Sequence, residues 1–230
     1  MILFERVSKR YRNGREALRS ATFSIDRGEM VFLTGRSGAG KSTVLKLIAL
    51  LERPTRGNAV VNGHNLATLR SRHLPAYRRT LGVVFQEHRL LDDRPVFDNV
   101  ALPLVVSGVS PPEMDKRVRA ALDQVGLLGK ERLLPSELSV GEQQRVGIAR
   151  AVVGKPAVLI ADEPTGNLDP GLALEVMRLF KRFADVGVTV IVATHDLHVV
   201  HEFSQRTIVL ADGQVQGGAE APLPSMTAVR

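Results

Sequence analysis

The segment that most restricts this 230-residue chain is Gly35-Arg36-Ser37-Gly38-Ala39-Gly40-Lys41-Ser42, which has the form G-x-x-x-x-G-K-[ST]. Before it stands Met30-Val-Phe-Leu-Thr34, an apolar run of strand length; after it, residues 41–51 repeat at helical spacing. A strand that turns through glycines into a helix points successive backbone N–H groups at one anion, and the helix N-terminus adds its partial positive charge. Lys41 is placed to neutralise β- and γ-phosphates, and the Ser42 hydroxyl to ligate Mg2+. The whole loop, Gly35 to Thr43, reads as a phosphate-binding site. The bland alternative is a glycine-rich turn with an accidental lysine, and the strand-before, helix-after context argues against it.

Two further apolar runs end in chemistry. Ala157-Val-Leu-Ile-Ala161 leads into Asp162-Glu163, carboxylates at the C-terminal edge of a strand, where ligands bind in open α/β sheets. Asp162 suits Mg2+ held through water, and Glu163 suits a general base for an attacking water. Val188-Thr-Val-Ile-Val-Ala193 leads into Thr194-His195. If its strand lies beside that of the phosphate loop, His195 reaches a γ-phosphate or the attacking water. His195, His198 and His201 are spaced by three, as metal ligands can be, but His195 precedes the helix that Asp196 is expected to cap. Ser139-Val-Gly141-Glu142 has the S-x-x-E form of a capping box.

Continuous apolar strands separated by helices predict a parallel sheet covered on both faces. Shorter strands are expected over residues 2–7, 21–26 and 58–62, as an antiparallel flank. Asp212-Gly213 predicts a C-terminal hairpin. Between Gln86 and Pro156 helical periodicity covers residues 113–125 and 141–153, broken by several prolines. There is no cysteine, which excludes disulfides and cysteine-ligated zinc and fits a reducing cytosol. A net charge of 31 − 24 = +7 suits an anionic partner: nucleotide, nucleic acid or membrane surface. No apolar run approaches the length of a membrane span, and Glu5-Arg6 comes too early for a signal peptide, so a soluble protein is expected.

Taken together, these motifs resemble the ATPase subunit of ABC transporters, over nearly the whole chain. The resemblance implies a P-loop NTPase of the ABC ATPase type, with a mostly parallel central sheet, an antiparallel β flank and an inserted helical subdomain. Residues 1–86 and 156–220 would form a RecA-like nucleotide-binding core with the flank, residues 87–155 the helical subdomain, and residues 221–230 a loose tail. It makes Leu138-Ser139-Val140-Gly141-Glu142 the signature segment and Asn167-Leu168-Asp169 the dimer-contact loop. Asp162 and Glu163 become the magnesium and catalytic carboxylates, and His195 the switch histidine. Gln86 looks like the glutamine that senses Mg2+ and the membrane partner, and Tyr11 like the aromatic that stacks on adenine.

ATP and Mg2+, an ATP-dependent homodimer and hydrolysis to ADP and phosphate follow from the same resemblance. So do a polytopic membrane partner and peripheral attachment to the cytoplasmic face of the bacterial plasma membrane. One position departs: the family's signature usually reads Leu-Ser-Gly-Gly-Gln, and here Val140 and Glu142 take the third and fifth places. A β-branched residue resists positive φ, so Val140 is expected to be helical.

Within the family, the stretches 4–9, 32–41, 90–94, 96–100 and 141–151 look like the cell-division branch. That likeness implies a membrane partner of FtsX type and regulation of septal peptidoglycan hydrolysis. Lipoprotein-release and macrolide-export ATPases share most of these motifs. Repair and chromosome-organising ATPases also share a nucleotide sandwich, and the basic residues between Arg6 and Arg19 suit DNA or anionic lipid. The lack of cysteine and of a long heptad run argues against nucleic acid. A metabolic kinase would leave Ser139–Glu142 unexplained. Leu90, Leu91, Val96, Phe97 and Val100 are read as a groove for the membrane partner, or else as ordinary core.

Overall fold

The structure, a computed structural model, describes residues 2–216; the tail expected over 221–230 lies outside them. The chain runs β1 (Ile2–Arg10), β2 (Glu16–Ile25), β3 (Met30–Thr34), α1 (Lys41–Ile48), β4 (Arg56–Val61), β5 (His64–Asn65), α2 (Leu74–Arg79) and β6 (Leu81–Val84). Three helices follow: α3 (Val96–Val106), α4 (Pro111–Gln124) and α5 (Val140–Val152). It ends β7 (Val158–Asp162), α6 (Pro170–Asp185), β8 (Thr189–Ala193), α7 (Leu197–Phe203), β9 (Arg206–Ala211) and β10 (Gln214–Gln216).

Two sheets result. One is antiparallel, in the order β2-β1-β4-β5; the other runs β10-β9-β3-β8-β7-β6, parallel except for the β9-β10 hairpin. Every residue of β3 and β8 is buried, as their unbroken apolar sequences require of strands covered on both faces. Alternation along the strand then divides the core in two. Val31, Leu33, Ile160 and Ile191 pack with α1 and the antiparallel sheet. Met30, Phe32, Leu159 and Val190 pack with α3, α4, α5 and α6. Helices α3–α5 therefore share one apolar cluster with the sheet.

Some boundaries differ from the sequence reading. β1 and β2 are longer than residues 2–7 and 21–26, because the pairing between them carries irregular register shifts that break the alternation. Arg6 and Ser20 take left-handed φ there (48° and 51°) and donate their N–H groups to Thr22 Oγ1 and Ser8 Oγ. α1 stops at Ile48, short of residue 51, because Leu50 turns left-handed (φ 50°). α3 runs through Pro103, which has no N–H to return to the preceding turn and so hides the helix from a periodicity reading. Val96 and Val100 are fully buried and Leu90 and Phe97 pack beside them, which corrects their assignment to an open groove; of the five only Leu91 is exposed.

In the loop before α3, the turn from Leu91 to Pro95 is gathered by one side chain. Fully buried Asn99 accepts the Leu91 N–H (2.7 Å) and donates from Nδ2 to the carbonyls of Leu91 (3.1 Å), Arg94 (3.0 Å) and Pro95 (3.2 Å). Replacing it by leucine strands these buried groups. Asn99→Leu is expected to lower unfolding free energy by about 1–3 kcal/mol in urea titration; an unchanged midpoint would show that the loop is held by other means.

Candidate nucleotide site

The phosphate loop sits where β3 ends, and glycine is required at both of its turns. A Cβ on Gly35 (φ +144°) would lie 2.2 Å from the Leu210 carbonyl oxygen of neighbouring β9. One on Gly40 (φ +115°), which caps α1, would lie 2.7 Å from the Ala17 carbonyl oxygen. Lys41 is buried, and its ammonium donates to the Gly35 carbonyl (2.8 Å), bending the side chain back over its own loop.

Parallel pairing brings the other groups to the same edge. Leu33 stands opposite Ala193, and Ala193 opposite Asp162, so the loop after β3, His195 after β8 and Glu163 after β7 emerge side by side. Glu163 adopts φ 45°, a left-handed conformation costing about 1–3 kcal/mol for a non-glycine residue. Its N–H donates to the Ala193 carbonyl (2.8 Å). Its Oε1 lies 2.9 Å from His195 Nδ1 and 3.6 Å from Lys41 Nζ, and its Oε2 accepts the His195 N–H (3.3 Å). Glu163, His195 and Lys41 are thus one contact network.

These groups line a cavity of about 860 Å³. Its wall takes in Tyr11, Arg36, Ser37, Gly38, Ala39, Gly40, Lys41, Ser42, Thr43, Gln86, Asp162, Glu163 and His195, all singled out from sequence. Asn13, Arg15 and Lys46 line it too and carry no motif by which sequence finds them. The Tyr11 hydroxyl lies 3.3 Å from Thr43 Oγ1, which fixes the ring against the first turn of α1. Ser42, Gln86 and Asp162 offer a hydroxyl, an amide carbonyl and a carboxylate on one wall, an all-oxygen donor set that fits Mg2+.

Ser139, Gly141, Glu142 and Asp169 do not line this cavity. They gather elsewhere, at the N-termini of α5 and α6. Ser139 Oγ accepts the Glu142 N–H (3.3 Å) and Glu142 Oε2 accepts the Ser139 N–H (3.0 Å), a closed capping box. Glu142 Oε1 also accepts from Lys130 (2.5 Å); that ammonium, and then the Ser139 N–H, hold the Glu142 carboxyl below the usual carboxylate range. Val140 opens the helix and is half exposed, so the β-branched residue carries no strain. A Cβ on Gly141 would touch Leu172 of α6 at 3.0 Å. Asp169 caps α6, its Oδ1 accepting from Gly171 (3.0 Å) and Leu172 (3.1 Å).

One connection joins the two regions. Arg150 of α5 donates to the carbonyls of His88 (2.5 Å) and Arg89 (2.7 Å), in the loop that follows Gln86. Burial lowers the His88 pKa, which favours the neutral imidazole beside that guanidinium.

Comparison with known proteins agrees with this geometry. Residues 18–166 match the ABC transporter family. The chain is 56% identical over 218 residues to the cell division ATP-binding protein FtsE of Escherichia coli K12, covering 95% of this chain and 98% of that one. The FtsE of Bacillus subtilis is 46% identical over 213 residues, 93% of each chain. A dimeric bacterial ABC transporter cassette superposes with a TM-score of 0.85 at 36% identity, covering 94% of this chain and 97% of the other. The phosphate loop, the adjoining carboxylates and histidine, and the separate capped α5 thus belong to a chain that is a member of the ABC transporter ATP-binding family.

Proposed function

We propose that this protein is the Mg2+-dependent ATPase of a bacterial cell-division complex, in which two copies sandwich ATP and drive an FtsX-type polytopic membrane partner. The observation that carries the reading is the separation just described. One surface holds the phosphate loop with its base, and a second holds a capped helix N-terminus that lines no part of that cavity. A two-fold pair of chains lets each α5 complete the other's site, and the dimeric assembly of a solved relative supports it. A helix N-terminus favours anions, so Ser139 and Gly141 of one copy suit the γ-phosphate held by the other.

In this reading Gly35–Thr43 grips the triphosphate and Lys41 leaves the Gly35 carbonyl to meet it. Ser42, Asp162 and Gln86 would hold Mg2+, which supplies positive charge to the phosphate oxygens when bound. Glu163 takes a proton from water as its oxygen attacks the γ-phosphorus, and the bond to the β-phosphate oxygen breaks. His195, on Oε1 of Glu163, orients that carboxylate. Once phosphate leaves, the charge that joined the two surfaces is gone and the dimer opens. A solved relative in a post-hydrolysis state bound to ADP and Pi supports hydrolysis as part of the cycle.

We assign residues 87–155 to the arm that carries α5 toward the partner copy. We assign membrane coupling to α3, where Val105 is exposed and where Leu102 and Val106 are exposed beside a cavity of about 740 Å³ shared with α2. No helix among the described residues is long and apolar enough to cross a membrane, so attachment to the division site runs through the partner.

Glu163→Gln keeps the side-chain shape and removes the base. Turnover is expected to fall about 10²–10⁴-fold while ATP-dependent dimers accumulate in size-exclusion light scattering; undiminished turnover would strip Glu163 of this role. Lys41→Ala is expected to abolish MgATP binding in equilibrium titration, and retained affinity would remove the phosphate loop from the site.

A further inference from the structure

Lys9 takes no part in the site as described, yet it is the cation most firmly built in beside it. Only 8% of the residue is exposed. Its ammonium donates to Glu52 Oε2 (2.6 Å) and to the Arg53 carbonyl (2.9 Å), and lies 5.1 Å from the centre of the Tyr11 ring. Tyr11 lines two cavities: the nucleotide cavity of about 860 Å³ and one of about 730 Å³ lined also by Lys9, Arg10 and Arg53.

The two anchors of this arrangement lie at the two ends of α1, one within it and one just past it. Thr43 Oγ1, in its first turn, meets the Tyr11 hydroxyl at 3.3 Å. Glu52 follows its last turn, where its N–H donates to the Lys46 carbonyl (3.2 Å). The helix whose N-terminus carries the phosphate loop thus also fixes the cation behind the ring. A buried ammonium near an aromatic ring is attracted to the ring's negative face and holds it against rotation.

We propose that Lys9 is a positioning residue for base recognition: braced by Glu52, it sets the Tyr11 ring so that the face turned to the nucleotide cavity stacks a purine at a fixed distance from the phosphate loop. This rests on Tyr11 being the base-stacking wall. A brace of this kind acts on the base and leaves the phosphates untouched, which separates it from a merely structural lysine.

The test compares equilibrium titrations with MgATP and with magnesium tripolyphosphate, which has no base. Lys9→Met is expected to weaken MgATP about three- to tenfold, and to change tripolyphosphate affinity by less than about twofold. Lys9→Arg, which keeps a cation, restores ATP affinity. Should the lone Glu52 carboxylate unfold Lys9→Met, Lys9→Met/Glu52→Gln removes both charges together and is held to the same expectation. Equal losses on the two ligands, or no loss on either, would overturn the proposal. Tyr11→Leu tells the two layers apart. If it leaves the ATP-to-tripolyphosphate ratio unchanged, the stacking role of Tyr11 falls and this proposal with it; if it lowers the ratio where Lys9→Met does not, the brace alone is overturned.

Discussion

Parallel pairing of β3, β8 and β7 is the constraint on which the site depends. Each strand is short, buried on both faces and apolar through its middle, with polar residues only at its ends. Their alignment is fixed because a slip of one residue would exchange the side chains meant for α1 with those meant for α6. With register set, three chain segments far apart in sequence leave the sheet at one edge. The phosphate loop, Glu163 and His195 need no recognition of one another to meet, since the hydrogen-bond ladder delivers them.

The same constraint explains what the sequence reveals. The phosphate loop, the strand-end carboxylates and the caps Ser139 and Asp196 are legible because each is a local rule: a turn that needs glycine, or a helix start that needs an acceptor. Features that depend on a distant neighbour are not. The irregular β1-β2 hairpin hides in a broken alternation, and α3 hides behind Pro103. The apolar residues Val96 and Val100 read equally well as groove or core, and only the packing of α3 decides. Nothing in the letters of Glu163 announces its left-handed backbone, and Asn13, Arg15 and Lys46 reach the cavity through folding alone.

The signature segment shows how composition and geometry reconcile. Val140 stands where the family favours glycine, and it is tolerated because the helix already begins there and its side chain points to solvent. Glu142 closes the box with Ser139 and is held ionised by Lys130, so the start of α5 is ordered in the single chain. In the two-copy arrangement, little entropy remains to be lost there when the second subunit arrives.

β6 is the outermost strand of the parallel sheet, and Gln86 lies two residues past its end. Phosphate loop, carboxylates and histidine all issue from strands hydrogen-bonded on both flanks, and shifting any of them ruptures a ladder. The loop after β6 has a neighbour on one flank only, and Arg150 ties it to α5 by two carbonyls. A push from outside can therefore travel through this loop as a tilt of the sheet's free margin, leaving the interior scaffold at rest.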